Sequence, residues 1–92
     1  MSNKIQTLHP EGKKGVNISA EKYEQVKAFI LDMVSCHGTL SYKELDLLAK
    51  KHLAPVFEGS ASWYTVTVKL DLEARKILKR VKLQSGHAVE LA

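Results

Sequence analysis

The sequence predicts a mainly α domain with a small β-hairpin, three helices followed by two strands. Three observations point to it. Two stretches carry apolar residues at three- and four-residue spacing behind capping residues. A third combines good helix formers with serines able to cap it. The C-terminus alternates Val and Leu with polar residues on both sides of a Ser-Gly turn. With 92 residues, 45% of them apolar and 26% charged, the chain has room for one modest core.

Residues 1–18 read as an extended N-terminal arm and residues 19–92 as the domain. A turn is expected at His9–Gly12, and Ile5, Leu8, Val16 and Ile18 are placed to pin the arm. Ser19 is the expected N-cap of the first helix, with Glu21 in its first turn and Ile18 and Tyr23 as a hydrophobic staple. Tyr23, Val26, Ile30, Met33, Val34 and His37 form the inward stripe, Phe29 and Cys36 a partly apolar flank, and Gly38 the stop. After a short extended Thr39–Leu40, Ser41 and Glu44 make a capping box. The Ser41 hydroxyl accepts from the Glu44 amide, and the Glu44 carboxylate accepts from the Ser41 amide. Leu45, Leu48, Ala49 and His52 face inward on this second helix, which Pro55 ends.

Residues 60–74 carry conflicting signals. Tyr64 to Glu73 alternates apolar and polar residues, the pattern of a strand. Ser60 and Ser62 can cap a helix, Leu72 to Arg75 favour one, and Tyr64, Val68 and Leu72 are four apart. The context decides for a helix with a second apolar stripe of Trp63, Val66 and Leu70. Ile77–Leu83 and Ala88–Leu91 then form the hairpin. A three-residue loop at Ser85–His87 would set Leu83 opposite Val89 and Val81 opposite Leu91, leaving Arg80 and Lys82 outside.

The net charge of +4 sits entirely in residues 75–92, where Arg75, Lys76, Lys79, Arg80 and Lys82 face Glu90 alone. Such a block suits a polyanion. Cys36 is the single cysteine, so an internal disulfide and cysteine-rich zinc sites are excluded, and it reads as a small buried or half-buried residue. No histidine pair has metal spacing on one helix, and Gly12-Lys13-Lys14-Gly15 lacks the spacing of a phosphate loop. No nucleophile elbow or carboxylate pair is recognisable, so neither an enzyme nor a cofactor is expected. No apolar run is long enough to cross a bilayer and no secretory leader opens the chain, so a cytoplasmic protein is expected.

The order helix, short strand, helix, helix, hairpin resembles the winged helix-turn-helix superfamily, three helices plus a two-stranded wing. The segment Leu72-Glu73-Ala74-Arg75-Lys76-Ile77-Leu78-Lys79-Arg80-Val81 looks like the junction of recognition helix and wing in bacterial regulators. That family usually has Gly where this chain has Lys76, which leaves the shape of the helix end open. His9–Ile18 and Lys69–Arg75 also resemble a small group of uncharacterised bacterial proteins of about this length. The superfamily resemblance implies a DNA-binding or regulatory module. Lys13, Lys14, Lys69, Arg75, Lys76, Lys79, Arg80 and Lys82 would meet the phosphate backbone of double-stranded DNA. Residues 60–74 are net acidic, which weakens base reading. The alternative is a protein-interaction or homodimerisation module of the same fold, with Phe29, Trp63, Val66 and Leu70 at the interface.

Overall fold

Chain order in the computed structural model, which describes residues 4–9, 11–12 and 15–92, is strand, strand, helix, strand, helix, helix, strand, strand. The elements are β1 (Lys4–Gln6), β2 (Asn17–Ser19), α1 (Ala20–His37), β3 (Thr39–Ser41), α2 (Tyr42–Leu48), α3 (Ala61–Ala74), β4 (Leu78–Lys82) and β5 (His87–Leu91). The result is a small α/β domain of three helices and two small antiparallel sheets. One sheet is β1-β2. The other has the order β3-β5-β4, so the last strand is central. Among the described residues, no helix is long and apolar enough to cross a membrane.

The core lies between α1, α2, α3 and the three-stranded sheet. α1 buries Tyr23, Val26, Ile30 and Val34, four of its six expected stripe residues, while Met33 is half-buried and His37 exposed. Cys36 is exposed rather than buried or half-buried, since it lies off the stripe. Ser19 sits at the N-cap, yet its side chain makes no capping hydrogen bond. Gly38 ends α1 with φ +79°. Ser41 Oγ accepts from the Glu44 amide at 3.1 Å, as expected. The other half of the box differs: the Ser41 hydroxyl donates to Glu44 Oε1 at 2.9 Å.

α2 widens into a π-turn at Ala49–Leu53 and then a 3₁₀ turn at Ala54–Val56. The wider turn inserts about one extra residue before the chain faces inward again. Leu53 therefore takes the buried place expected of His52, which is exposed.

α3 is helical from Ala61, with Ser60 Oγ accepting from the Trp63 amide. Ala61, Thr65, Val68 and Leu72 are buried at four- and three-residue spacing, so helical packing overrides the alternation. Its end is a Schellman motif. The Lys76 amide donates to Glu73 O, the Ile77 amide to Leu72 O, and Lys76 takes φ +67°. The left-handed end is thus formed without glycine.

A further expectation, the register of the hairpin, is corrected. The β4–β5 register is three residues away from the expected one: Arg80 stands opposite Val89 and Val81 opposite Ala88. Leu78 and Val89 are both buried, and residues two apart share a face, so Arg80 lies on the core-facing side. The turn takes four residues, closed by the Leu83 amide on Gly86 O. The arm is not merely extended. β1 pairs with β2, Ile5 opposite Ile18, and β2 runs across the expected boundary at residue 18. Thr7 is buried at the neck, its amide and hydroxyl both donating to Val16 O. Leu8 and Val16 are exposed, so only Ile5 and Ile18 pin the arm apolarly.

Candidate interaction face

The C-terminal half of α3 turns charged residues inward, and two clusters form around them. Asp71 is fully buried. Its carboxylate accepts from the Tyr23 hydroxyl of α1, from Arg75 Nε at 2.9 and 3.0 Å, and from the Leu8 amide of the arm at 2.9 Å. Arg75 Nη2 reaches Gln6 O as well, so the cluster clasps the arm to the helix from both directions. Burial and the Asp71 carboxylate push the Tyr23 hydroxyl up to about 12, so it stays a donor.

Glu73 is the centre of the second cluster. Tyr42 of α2 donates to it at 2.7 Å, Arg80 of β4 at 3.2 Å and Lys69 at 3.4 Å. Lys69 Nζ also stands 3.7 Å from the centre of the Tyr42 ring, a cation–π contact. Burial pushes the Glu73 carboxyl up, but Tyr42, Arg80 and Lys69 together hold it below its usual range. Burial lowers the Lys69 ammonium, against the attraction of Glu73, and raises Tyr42 to about 12. The sequence carried a partial signal for both clusters, because Lys69–Glu73 and Asp71–Arg75 are each four apart on a helix.

These clusters decide where the expected DNA contacts stand. Lys69 is 4% exposed and cannot meet a groove. Thr65 is buried too, its Oγ1 without a hydrogen-bond partner among the described residues. Arg75 and Arg80 are bound to Asp71 and Glu73, and Lys79 to Glu90 at 3.0 Å. Lys76 and Lys82 are exposed. Lys13 and Lys14 lie outside the described residues.

The outward face of α3 is apolar. Trp63 is 47% and Val66 48% exposed, and Leu70 is half-buried beside them. Trp63 packs edge-on against Tyr64 at 4.9 Å, and Tyr64 against Phe57, so the indole is braced. The arm stands alongside. Leu8 and Val16 from the arm and Trp63, Thr67 and Leu70 from α3 wall a cleft of about 170 Å³. Phe29 does not line it. Its ring packs against the core from α1.

The family model of DUF6958, a family of unknown function, matches residues 4–89. No curated protein and no solved structure matches the chain.

Proposed function

We propose, for a chain that belongs to this family of unknown function, a winged-helix domain whose third helix meets protein rather than bases. The winged-helix reading is supported by the order α1, β3, α2, α3, β4, β5 with β5 between β3 and β4. The left-handed helix end at Lys76 supports it further. One observation carries the functional reading. The solvent face of α3 offers Trp63, Val66 and Leu70 and no cation, because Lys69, the only cation on the helix, is buried against Glu73. A base-reading helix needs arginine, lysine, asparagine or glutamine on that face. An apolar centre with a rigid aromatic anchor is what protein interfaces use.

A second reading keeps weak, sequence-independent contact with duplex DNA, since Lys76 and Lys82 are exposed near the hairpin and carry no ion pair among the described residues. Photo-crosslinking in cells separates the two. A photoreactive amino acid at Val66 is expected to give protein adducts that the same group at Glu24 on α1 does not. Nuclease-sensitive adducts at Val66, or none, would overturn the protein reading.

A further inference from the structure

We infer that the outer edge of β4 is a docking site for an extended acidic segment of another protein, which pairs antiparallel as a further strand of the sheet. The site lies on the hairpin and stands independently of the α3 face. β4 ends the order β3-β5-β4, so one of its edges has no strand beside it among the described residues. The ladder decides which main-chain groups that edge presents. The Ala92 amide donates to Ile77 O at 3.1 Å and the Leu83 amide to Gly86 O at 3.0 Å, which continues the β4–β5 register at either end. Bonded and unbonded pairs alternate along an antiparallel ladder. Lys79 and Val81 therefore bond to β5, whereas the amides and carbonyls of Leu78, Arg80 and Lys82 point away from it. Leu78 is buried, while Arg80 and Lys82 are exposed. These two residues each offer an N–H and a C=O, without a hydrogen-bond partner among the described residues.

Main-chain chemistry and charge select the occupant. A phosphate backbone only accepts hydrogen bonds, so it would leave the Arg80 and Lys82 carbonyls without donors. An extended peptide supplies both donors and acceptors at the strand repeat. Lys82 is exposed, has no ion pair among the described residues and shares a face of the sheet with Arg80. Lys79, on the other face, keeps 59% of its side chain exposed beside Glu90. A second copy docked edge to edge would set these cations against their like, which disfavours pairing. A segment with carboxylates opposite Arg80 and Lys82 meets attraction instead. The residue between those carboxylates falls opposite half-buried Val81, where an apolar side chain fits.

Residue-resolved hydrogen exchange on the full chain tests this, with a blocked peptide alternating glutamate and valine as the probe. Saturating peptide is expected to slow the Arg80 and Lys82 amides at least about tenfold, and to leave the Lys79 and Val81 amides, already bonded to β5, within about twofold. The same peptide with lysine in place of glutamate should protect neither. N-methylation of the glutamates keeps the charge but removes the amides that would face β4. Fluorescence anisotropy should then show binding weakened at least about tenfold, whereas N-methylation of the valines, whose amides face away, should cost little. Lys82→Ala, at an exposed position, should weaken the unmethylated peptide several-fold with an unchanged circular dichroism spectrum. Equal binding of the glutamate-methylated and unmethylated peptides would mean charge attraction alone and overturn the paired strand. Random duplex DNA that protects the Arg80 and Lys82 amides as well as the peptide does would give the edge to phosphate and overturn it too. A wild-type chain that binds none of the acidic peptide overturns the site itself.

Discussion

Asp71 and Glu73 stand two residues apart on α3, and each accepts from the tyrosine hydroxyl of another helix and from an arginine. At about 100° per residue they leave the helix on nearly opposite sides. Asp71 therefore holds α1 and the arm, while Glu73 holds α2 and β4.

Separate loosening of these two attachments is the expected consequence. Asp71→Asn keeps the shape but removes the charge that Arg75 and Tyr23 address. Hydrogen exchange should accelerate at the Leu8 amide, with a global loss of about 1–3 kcal/mol. Glu73→Gln should leave Leu8 protected and loosen β4. Its cost should be higher, about 3–5 kcal/mol, because Lys69 would remain buried without its counter-ion. Equal loss of Leu8 protection in both variants would show that the clusters act as one.

The arm hairpin depends on Gly15. A Cβ there would stand 2.0 Å from Thr7 O, at the neck where Thr7 and Val16 bond. Gly15→Ala should open β1 and β2 while the core of α1 and α3 keeps its exchange protection. Gly12→Ala meets no atom within 4 Å and should cost only the left-handed conformation, about 1 kcal/mol. Comparable protection of the Thr7 amide in the two variants would contradict this.

Lys76 is the reverse case. It holds φ +67° where glycine would be unstrained. Lys76→Gly removes a strain of about 1–2 kcal/mol and adds back some unfolded-state entropy, for a net gain of roughly up to 1 kcal/mol in urea denaturation. A loss of stability would mean that the lysine side chain stabilises the junction in some other way.

Stability should fall on both sides of neutrality. Glu73 is held below its ordinary range, so its contribution is present above pH 4.5 and lost as pH falls through the folded value. Tyr23 and Tyr42 are raised from 10.0 to about 12, so their contributions are complete below pH 10 and lost as pH climbs toward 12. Each tyrosine should account for about 1 kcal/mol once screening by nearby water is allowed for. Lys69 works against them, because its burial cost is relieved as it deprotonates on the way to 10.5. Thermal melts of Tyr42→Phe should show a shallower decline above pH 10 than the wild type, and an unchanged decline would remove Tyr42 from the account.

Local chemistry made much of this fold legible. The Ser41 cap, the α1 stripe and the helical character of residues 60–74 follow from neighbours within one or two turns. What escaped depends on distant partners. Arg80 reads as outward in a basic strand, and turns inward because Leu78 must be buried and Glu73 waits beneath it. The three-residue strands of the arm carry no periodicity, and the π-turn that brings in Leu53 has no sequence signature. At the interaction face, the Trp63, Val66 and Leu70 stripe was legible from its spacing. The opposite wall, Leu8 and Val16, belongs to a loop whose position is set by Asp71.

The ion pairs also set how strongly the hairpin can hold a nucleic acid. Five cations in residues 75–92 would suggest a salt slope near −4.5, at about −0.9 per phosphate contact. Arg75, Lys79 and Arg80 are already bound to carboxylates, which leaves Lys76 and Lys82. Fluorescence anisotropy with random duplex DNA between about 50 and 200 mM salt should therefore give a slope near −2 from this hairpin. Lys76→Ala with Lys82→Ala should flatten it, with no change in sequence preference. Arg80→Ala should leave it nearly unchanged while destabilising the fold, because Glu73 would lose a partner. A slope of −4 or steeper that Arg80→Ala reduces would mean that the clusters open on binding, and the phosphate backbone, rather than protein, would then be the better reading of this domain's partner.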